Sequence, residues 1–387
     1  MTQYSAHSAP GRRTVAKGAL LAAAATLLGP AAARATARPA ARAGEPAVLR
    51  LPAPNGPHPV GLRTFVLTDT SRDDPWVPGT GVREVKITVL YPARTVRGGP
   101  RAPQLTPVEA QYFAELAPLV RPGLPAAGTV DWGATLTHGH IDAPALPGRR
   151  AVLLYSPGGG DSRTLGTTLA EDLASHGRIV VLIDHPGDAS QVELPGGVRV
   201  TVLRGDPDPV TFRTMIDTRV ADIRFVLDRL GSLPLAPVMD LRRIGVYGHS
   251  AGGTAAVHAL AADDRLAAGA NLEGYLDLDP LNGFDRPLLM VRTDGFDGAE
   301  RLERSWERLR ARRVLLTGSD HWVFADHAFL VPQLQAAGLV TAEARAALIG
   351  TADPATAVDT LRRGMRSFFA RRLPAPAPPA RGRGASQ

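Results

Sequence analysis

The 387-residue sequence contains no cysteine. That excludes disulfides, thiolate metal sites, iron–sulfur clusters and a cysteine nucleophile. No uncharged apolar run reaches the ~20 residues needed to span a bilayer. The phosphate-cradling signatures G-x-x-x-x-G-K-[ST] and G-x-G-x-x-G are absent, which argues against nucleotide binding. No internal repeat is present. The formal charge of +7 is not an excess spread over the chain. Residues 1–43 carry Arg12, Arg13, Lys17, Arg34, Arg38 and Arg42 with no acid, and residues 371–387 carry Arg371, Arg372, Arg381 and Arg383 with none. Without these ten, 34 basic groups face 37 acidic ones. The fold itself therefore gives no reason to expect a nucleic-acid partner, which would need a clustered basic face.

What is present begins with an export signal. Arg12-Arg13 precedes the apolar stretch 18–28, and Ala33-Arg34-Ala35 and Ala35-Thr36-Ala37 offer small-residue cleavage sites. This order defines a secretory peptide rather than a membrane helix, and the arginine pair resembles a twin-arginine signal. The expected organisation is an export signal over 1–37, a flexible Ala/Pro/Arg linker over 38–60, a catalytic domain over 61–371 and a disordered tail over 372–387. The expected destination is extracellular.

Residues 82–91 alternate polar and apolar side chains, which predicts an antiparallel or edge strand. From residue 149 short, nearly continuous branched apolar runs appear: 151–155, 179–183, 244–247, 288–291 and 314–316. Such runs suit parallel strands buried on both faces. Val220, Ile223, Val226, Leu227 and Leu230 have helical spacing. Alternating strands and helices predict an α/β fold with a mostly parallel sheet. Residues 100–145 fit that pattern poorly and read as an excursion flanking a substrate pocket.

Gly248-His249-Ser250-Ala251-Gly252 matches G-x-S-x-G, with a strand before it and a helix-forming run after it. That setting marks a nucleophile elbow with Ser250 at the turn. Flanking glycines remove side chains that would clash across so sharp a bend. Serine needs a base to take its proton, and this fold orders the set Ser, acid, His. His321 follows the apolar run 314–316 in a loop and is the expected base. His327 reads as a cap or packing residue, and His258, eight residues past Ser250, as structural. Glu273 and Asp294 each end a strand, and spacing alone leaves the acid open between them. Tyr155-Ser156-Pro157-Gly158-Gly159-Gly160 supplies a glycine-rich turn for oxyanion donors, the second donor being the Ala251 amide.

Other features have plainer readings. His138, His140 and Asp142 lie close in sequence but lack a further supporting cluster for a metal, so they read as a polar loop. His185 is either a pocket residue or a hydrogen-bonded structural one. Asp184 and Asp188 read as solvated loop carboxylates, and 301–313 as a solvated helix face.

The set of segments resembles the platelet-activating-factor acetylhydrolase group of α/β-hydrolases and its secreted bacterial relatives. The resemblance spans most of residues 62–330. It is carried by Asp69-Thr70-Ser71-Arg72-Asp73-Asp74-Pro75-Trp76, Val89-Leu90-Tyr91-Pro92-Ala93, Tyr155-Ser156-Pro157-Gly158-Gly159, Asp172-Leu173-Ala174-Ser175-His176-Gly177 and Ile183-Asp184-His185-Pro186. The elbow Gly248–Gly253 and 318–326 complete it. The resemblance implies an α/β-hydrolase fold with helices on both sheet faces. It implies Gly159 N–H as the first oxyanion donor, and an acid in a Leu-Asp-Gly-like segment, where Leu272-Glu273-Gly274 stands here. It therefore favours Glu273 over Asp294, with an Asp-to-Glu departure. The expected protein is an exported serine esterase acting on a small-molecule or lipid ester, needing no cofactor or metal; oligomeric state is left open. Alternatives keep the triad on polyester or long-chain lipid substrates, or make the chain a non-catalytic binding protein on a hydrolase scaffold.

Overall fold

The computed structural model describes residues 45–375 except 204, 206 and 280. The expected export signal, the first part of the expected linker and the last residues of the expected tail lie outside the described residues. In chain order the elements are β1 (Val60–Asp69), β2 (Arg83–Pro92), β3 (Arg101–Pro103), α1 (Pro107–Val120), β4 (Leu136–Ile141), β5 (Arg150–Ser156), α2 (Thr167–Ser175) and β6 (Ile179–Ile183). Then come the hairpin β7 (Gln191–Leu194) and β8 (Gly197–Val200), α3 (Pro209–Arg229), β9 (Met239–His249), α4 (Ala251–Ala262), β10 (Leu266–Leu272) and β11 (Leu288–Thr293). The chain ends with α5 (Ala299–Trp306), β12 (Arg312–Leu316), α6 (His327–Ala336), α7 (Ala342–Ile349) and α8 (Pro354–Arg372).

Ten strands form one sheet in the order β12-β11-β10-β9-β5-β6-β2-β1-β4-β3. The six from β6 to β12 run parallel, and β2 joins them antiparallel. Successive strand side chains point to opposite faces. Val152 and Leu154 thus join the core under α3, α4 and α5, while Leu153 and Tyr155 join the core under α2, α6 and α8. The helices start where the sequence offers caps. Asp208 accepts the amides of Val210 and Thr211 ahead of Pro209 in the first turn of α3, a favoured arrangement for a helix N-terminus. This is the architecture of an α/β-hydrolase, as the sequence led us to expect.

Residues 82–91 form an antiparallel strand, as expected: β2 is flanked by β1 and β6 and is almost wholly buried. Its charged side chains are neutralised inside, Arg83 by Asp74 and Asp222 and Lys86 by Glu109. The second half of the 38–60 linker is not a linker. Ala47 bridges to Val130, and Leu49 and Leu51 are buried against α1 and α6. At the other end Leu373 is buried on the core, so packing continues slightly into the expected tail. The 100–145 excursion contributes α1, whose C-terminal end lines the cleft described next.

Candidate active site

A cleft of about 1480 Å³ opens beyond the C-terminal ends of the parallel strands; Gly159, Ser250, Ala251 and His321 all line it. A second cavity of about 470 Å³, near β1 and α1 and lined by Thr88, Glu109 and Arg163, contains none of them.

Ser250 sits between β9 and α4 with φ 53° and ψ −124°, a conformation costly for a side-chain-bearing residue and typical of functional turns. Its amide is anchored on Leu272 O at 2.8 Å. A Cβ at Gly248 would run into the Gly252 carbonyl, and one at Gly252 into the carbonyls of Ser156 and Pro157. The bend exists because neither residue carries one.

His321 follows β12 and opens a short turn whose first amide is capped by Asp320 Oδ1 at 2.6 Å. Glu273 directly follows β10, is fully buried and has φ 62°. Its Oε2 accepts from His321 Nδ1 at 2.8 Å, while Oε1 accepts the Thr293 amide at 2.5 Å and the Thr293 hydroxyl at 2.8 Å. Asp294 instead accepts the Ser319 amide at 3.3 Å. Of the two acids left open by spacing, the structure brings Glu273 to the imidazole. The ring is walled by Phe296, stacked at 4.3 Å and 14°, by Trp322 edge-on at 4.9 Å, and by His249 at 4.7 Å. His249 is completely buried, and that burial, reinforced by the neighbouring His321, pushes its imidazole well below the usual range. It is an uncharged packing residue.

A Cβ built on Gly159 would lie 3.8 Å from Ala251 Cβ, so the two proposed oxyanion donors are neighbours. Neither amide meets an acceptor among the described residues.

The other singled-out residues fall elsewhere. His327 is buried and its imidazole is pushed down to about 4 by desolvation. His258 lies on α4 and is lowered by burial. His138 Nε2 and His140 Nδ1 meet the carbonyls of Leu51 and Gly99, and among the described residues no three carboxylate or imidazole groups are disposed to hold a metal. Asp184 is not solvated: it is buried against Arg163. Asp188 is likewise buried, against Arg219. His185 joins a second Ser–His–Asp chain, with Ser156 Oγ at 2.9 Å from Nε2 and Asp222 Oδ2 at 2.9 Å from Nδ1. All three residues are sealed from solvent, so this set cannot meet a substrate.

Sequence reasoning missed Phe296, Trp322 and Tyr275 as lining groups and Arg219 altogether. The last had a signal: Arg219 falls between Ile216 and Ile223 at helical spacing, a charge inside the apolar stripe of α3.

Comparison with known proteins agrees with the fold and with carboxylic ester hydrolysis. A family model described as "Platelet-activating factor acetylhydrolase, isoform II" matches residues 222–375. A "Probable 1-alkyl-2-acetylglycerophosphocholine esterase" of Arthroderma benhamiae is 29% identical over 283 residues, covering 68% of this chain and 70% of the relative. A platelet-activating factor acetylhydrolase of Canis lupus familiaris is 24% identical over 281 residues, covering 62% of each. The solved structure of a ferulic acid esterase from Streptomyces cinnamoneus superposes with a TM-score of 0.70 at 33% identity, over 89% of this chain and 97% of that one.

Proposed function

The chain belongs to the platelet-activating-factor acetylhydrolase-like family of α/β-hydrolases and is a carboxylic ester hydrolase, and from that premise we propose that it cleaves acyl esters through Ser250, His321 and Glu273. His321 Nε2 takes the Ser250 proton as Oγ attacks the acyl carbon. The carbonyl oxygen becomes an oxyanion received by the amides of Gly159 and Ala251. The oxyanion collapses, the C–O bond to the alcohol breaks, and His321 returns the proton to the departing alkoxide. Water, deprotonated by the same imidazole, then releases the acid and restores Ser250. Glu273 holds the Nδ1–H tautomer and stabilises the imidazolium without itself taking the proton. The observation that carries this reading is the 2.8 Å contact of Glu273 Oε2 with His321 Nδ1, made at the cleft that Ser250 lines.

The substrate we favour is a small-molecule or lipid acyl ester. A second reading, an aromatic acyl ester, is favoured by Tyr275, Phe296 and Trp322 around the cleft and by the ferulic acid esterase likeness. A panel of p-nitrophenyl acetate, an sn-2 acetyl phospholipid, long-chain phospholipids and methyl ferulate separates them by kcat/KM. Preference for the acetyl esters supports the first reading, and preference for the ferulate replaces it with the second. Export by the twin-arginine route belongs to the same proposal. Its test is the N-terminal sequence of protein recovered outside the cell, expected to begin after Ala35 or Ala37.

A further inference from the structure

The turn that presents Gly159 has three glycines in a row and no side chain of its own to hold it. Glycine samples backbone conformations that other residues avoid, so a triple-glycine turn needs anchors from outside. The structure supplies one to each successive peptide. Arg219 Nη1 donates to Pro157 O at 2.5 Å and Nη2 to Gly158 O at 3.0 Å. Gly158 O also accepts the Asp161 amide at 3.1 Å. Arg121 Nη2 donates to Gly159 O at 2.6 Å, and the Gly160 amide donates to Asp188 Oδ1 at 3.1 Å. Arg219 is itself clamped: Nε donates to Asp188 Oδ2 at 2.5 Å and Nη1 to Ser156 Oγ at 3.0 Å. With that hydroxyl accepting from Arg219, its own proton goes to His185 Nε2, and His185 Nδ1–H goes to Asp222, which Arg83 and Arg72 hold in turn. The sealed Ser156–His185–Asp222 chain thus acts as a brace for Arg219.

The geometric consequence follows from peptide planarity. In a trans peptide the C=O and the next N–H point in opposite directions. Gly158 O and Gly159 N–H belong to one peptide, so drawing the oxygen back toward Arg219 turns the N–H away from it. We infer that Arg219 is a positioning residue for ester hydrolysis: by holding Pro157 O and Gly158 O it fixes the Gly158–Gly159 peptide so that the Gly159 amide faces the oxyanion. Its planar fork serves two adjacent carbonyls at once, which a lysine ammonium, a point donor, reproduces poorly. This inference rests on the proposed role of Gly159.

The test compares the wild-type protein with Arg219→Lys, checking that the variant is folded by its circular dichroism and counting competent sites by titration with diethyl p-nitrophenyl phosphate. For p-nitrophenyl acetate, kcat per titrated site is expected to fall by about tenfold to a hundredfold, reaching at most the lower end of the roughly 10²–10³ lost when an oxyanion donor is removed outright, with KM within about twofold. Affinity for a short alkyl trifluoromethyl ketone, whose adduct carries the oxyanion, is expected to fall with kcat/KM, while the matching methyl ketone binds as before. A merely structural role moves both ketones together, or lowers only the number of titrated sites; either result, or an unchanged kcat, overturns the inference. If Arg219→Lys does not fold, a crystal structure of the wild-type trifluoromethyl ketone adduct decides. The expected result is the adduct oxygen on Gly159 N with Gly158 O still on Arg219; a flipped Gly158–Gly159 peptide overturns it. Ser250→Ala, run alongside, separates the two levels. Activity in that variant sinks the underlying triad, whereas an inactive Ser250→Ala with a normal Arg219→Lys sinks only the role of Arg219.

Discussion

Glu273 Oε2 accepts the Nδ1 hydrogen of His321 at 2.8 Å from a left-handed backbone position, φ 62°. The second oxygen is fixed by two donors of Thr293. The longer side chain of glutamate, set on this turned backbone and clamped by the neighbouring strand, reaches the imidazole from the end of β10. Glu273→Gln keeps the shape but offers the wrong hydrogen-bonding group to Nδ1–H. By analogy with removing the charge behind a catalytic histidine, kcat should fall by roughly 10³–10⁴. Asp294→Asn, which changes only an acceptor for the Ser319 amide, should leave kcat within about threefold. Steady-state kinetics on p-nitrophenyl acetate decides, and a larger loss in Asp294→Asn reverses the assignment.

Phe296 stacks face to face on His321 at 4.3 Å. Stacked rings contribute about 0.5–1.5 kcal/mol beyond their buried area, which is up to about tenfold in rate if the contact steadies the imidazole at the transition state. Phe296→Ala should therefore lower kcat by up to about tenfold. A change confined to KM would show that the ring touches substrate only.

Gly252 faces the carbonyls of Ser156 and Pro157 so closely that no Cβ fits. Gly252→Ala must push the elbow away from the oxyanion turn. Overpacking of this kind costs about 1–3 kcal/mol or more, and urea unfolding should show a lowered midpoint together with lost esterase activity. A midpoint equal to that of the wild type would mean that the two turns are not in contact.

Glu171 is buried, its Oε2 has no hydrogen-bond partner among the described residues, and desolvation pushes its carboxyl up to about 8. An unfolded glutamate titrates near 4.3. Between these values the folded chain binds the proton and the unfolded chain does not, so stability falls as pH rises from about 4.3 through about 8. Glu171→Gln removes that dependence. Unfolding free energies at pH 5 and pH 9 should show the variant gaining on the wild type by a few kcal/mol at the higher pH. Parallel pH curves would contradict a buried, protonated Glu171.

The parallel strands were legible because branched apolar runs such as 179–183 have few other uses, and the elbow because its glycines flank a serine between a strand and a helix. The proposed triad acid was not legible from spacing: Glu273 and Asp294 both end strands, and it is the folded chain that brings Glu273 to the ring. That Arg83 and Lys86 of β2 lie inside was not legible, because burial of charge depends on partners far away in sequence, Asp222 and Glu109. The brace around Arg219 was hidden for the same reason. It joins the end of β5, the loop after β6 and α3 through contacts across more than sixty residues, from Arg219 to Ser156 and Pro157, and no local pattern encodes such contacts.

The most direct test of the catalytic account is covalent labelling with a fluorophosphonate, read by mass spectrometry alongside residual hydrolysis of p-nitrophenyl acetate. The account predicts one adduct per chain, on the peptide containing Ser250, with activity lost in step, and neither labelling nor hydrolysis in Ser250→Ala. Labelling at another residue, or hydrolysis that persists in Ser250→Ala, would contradict it.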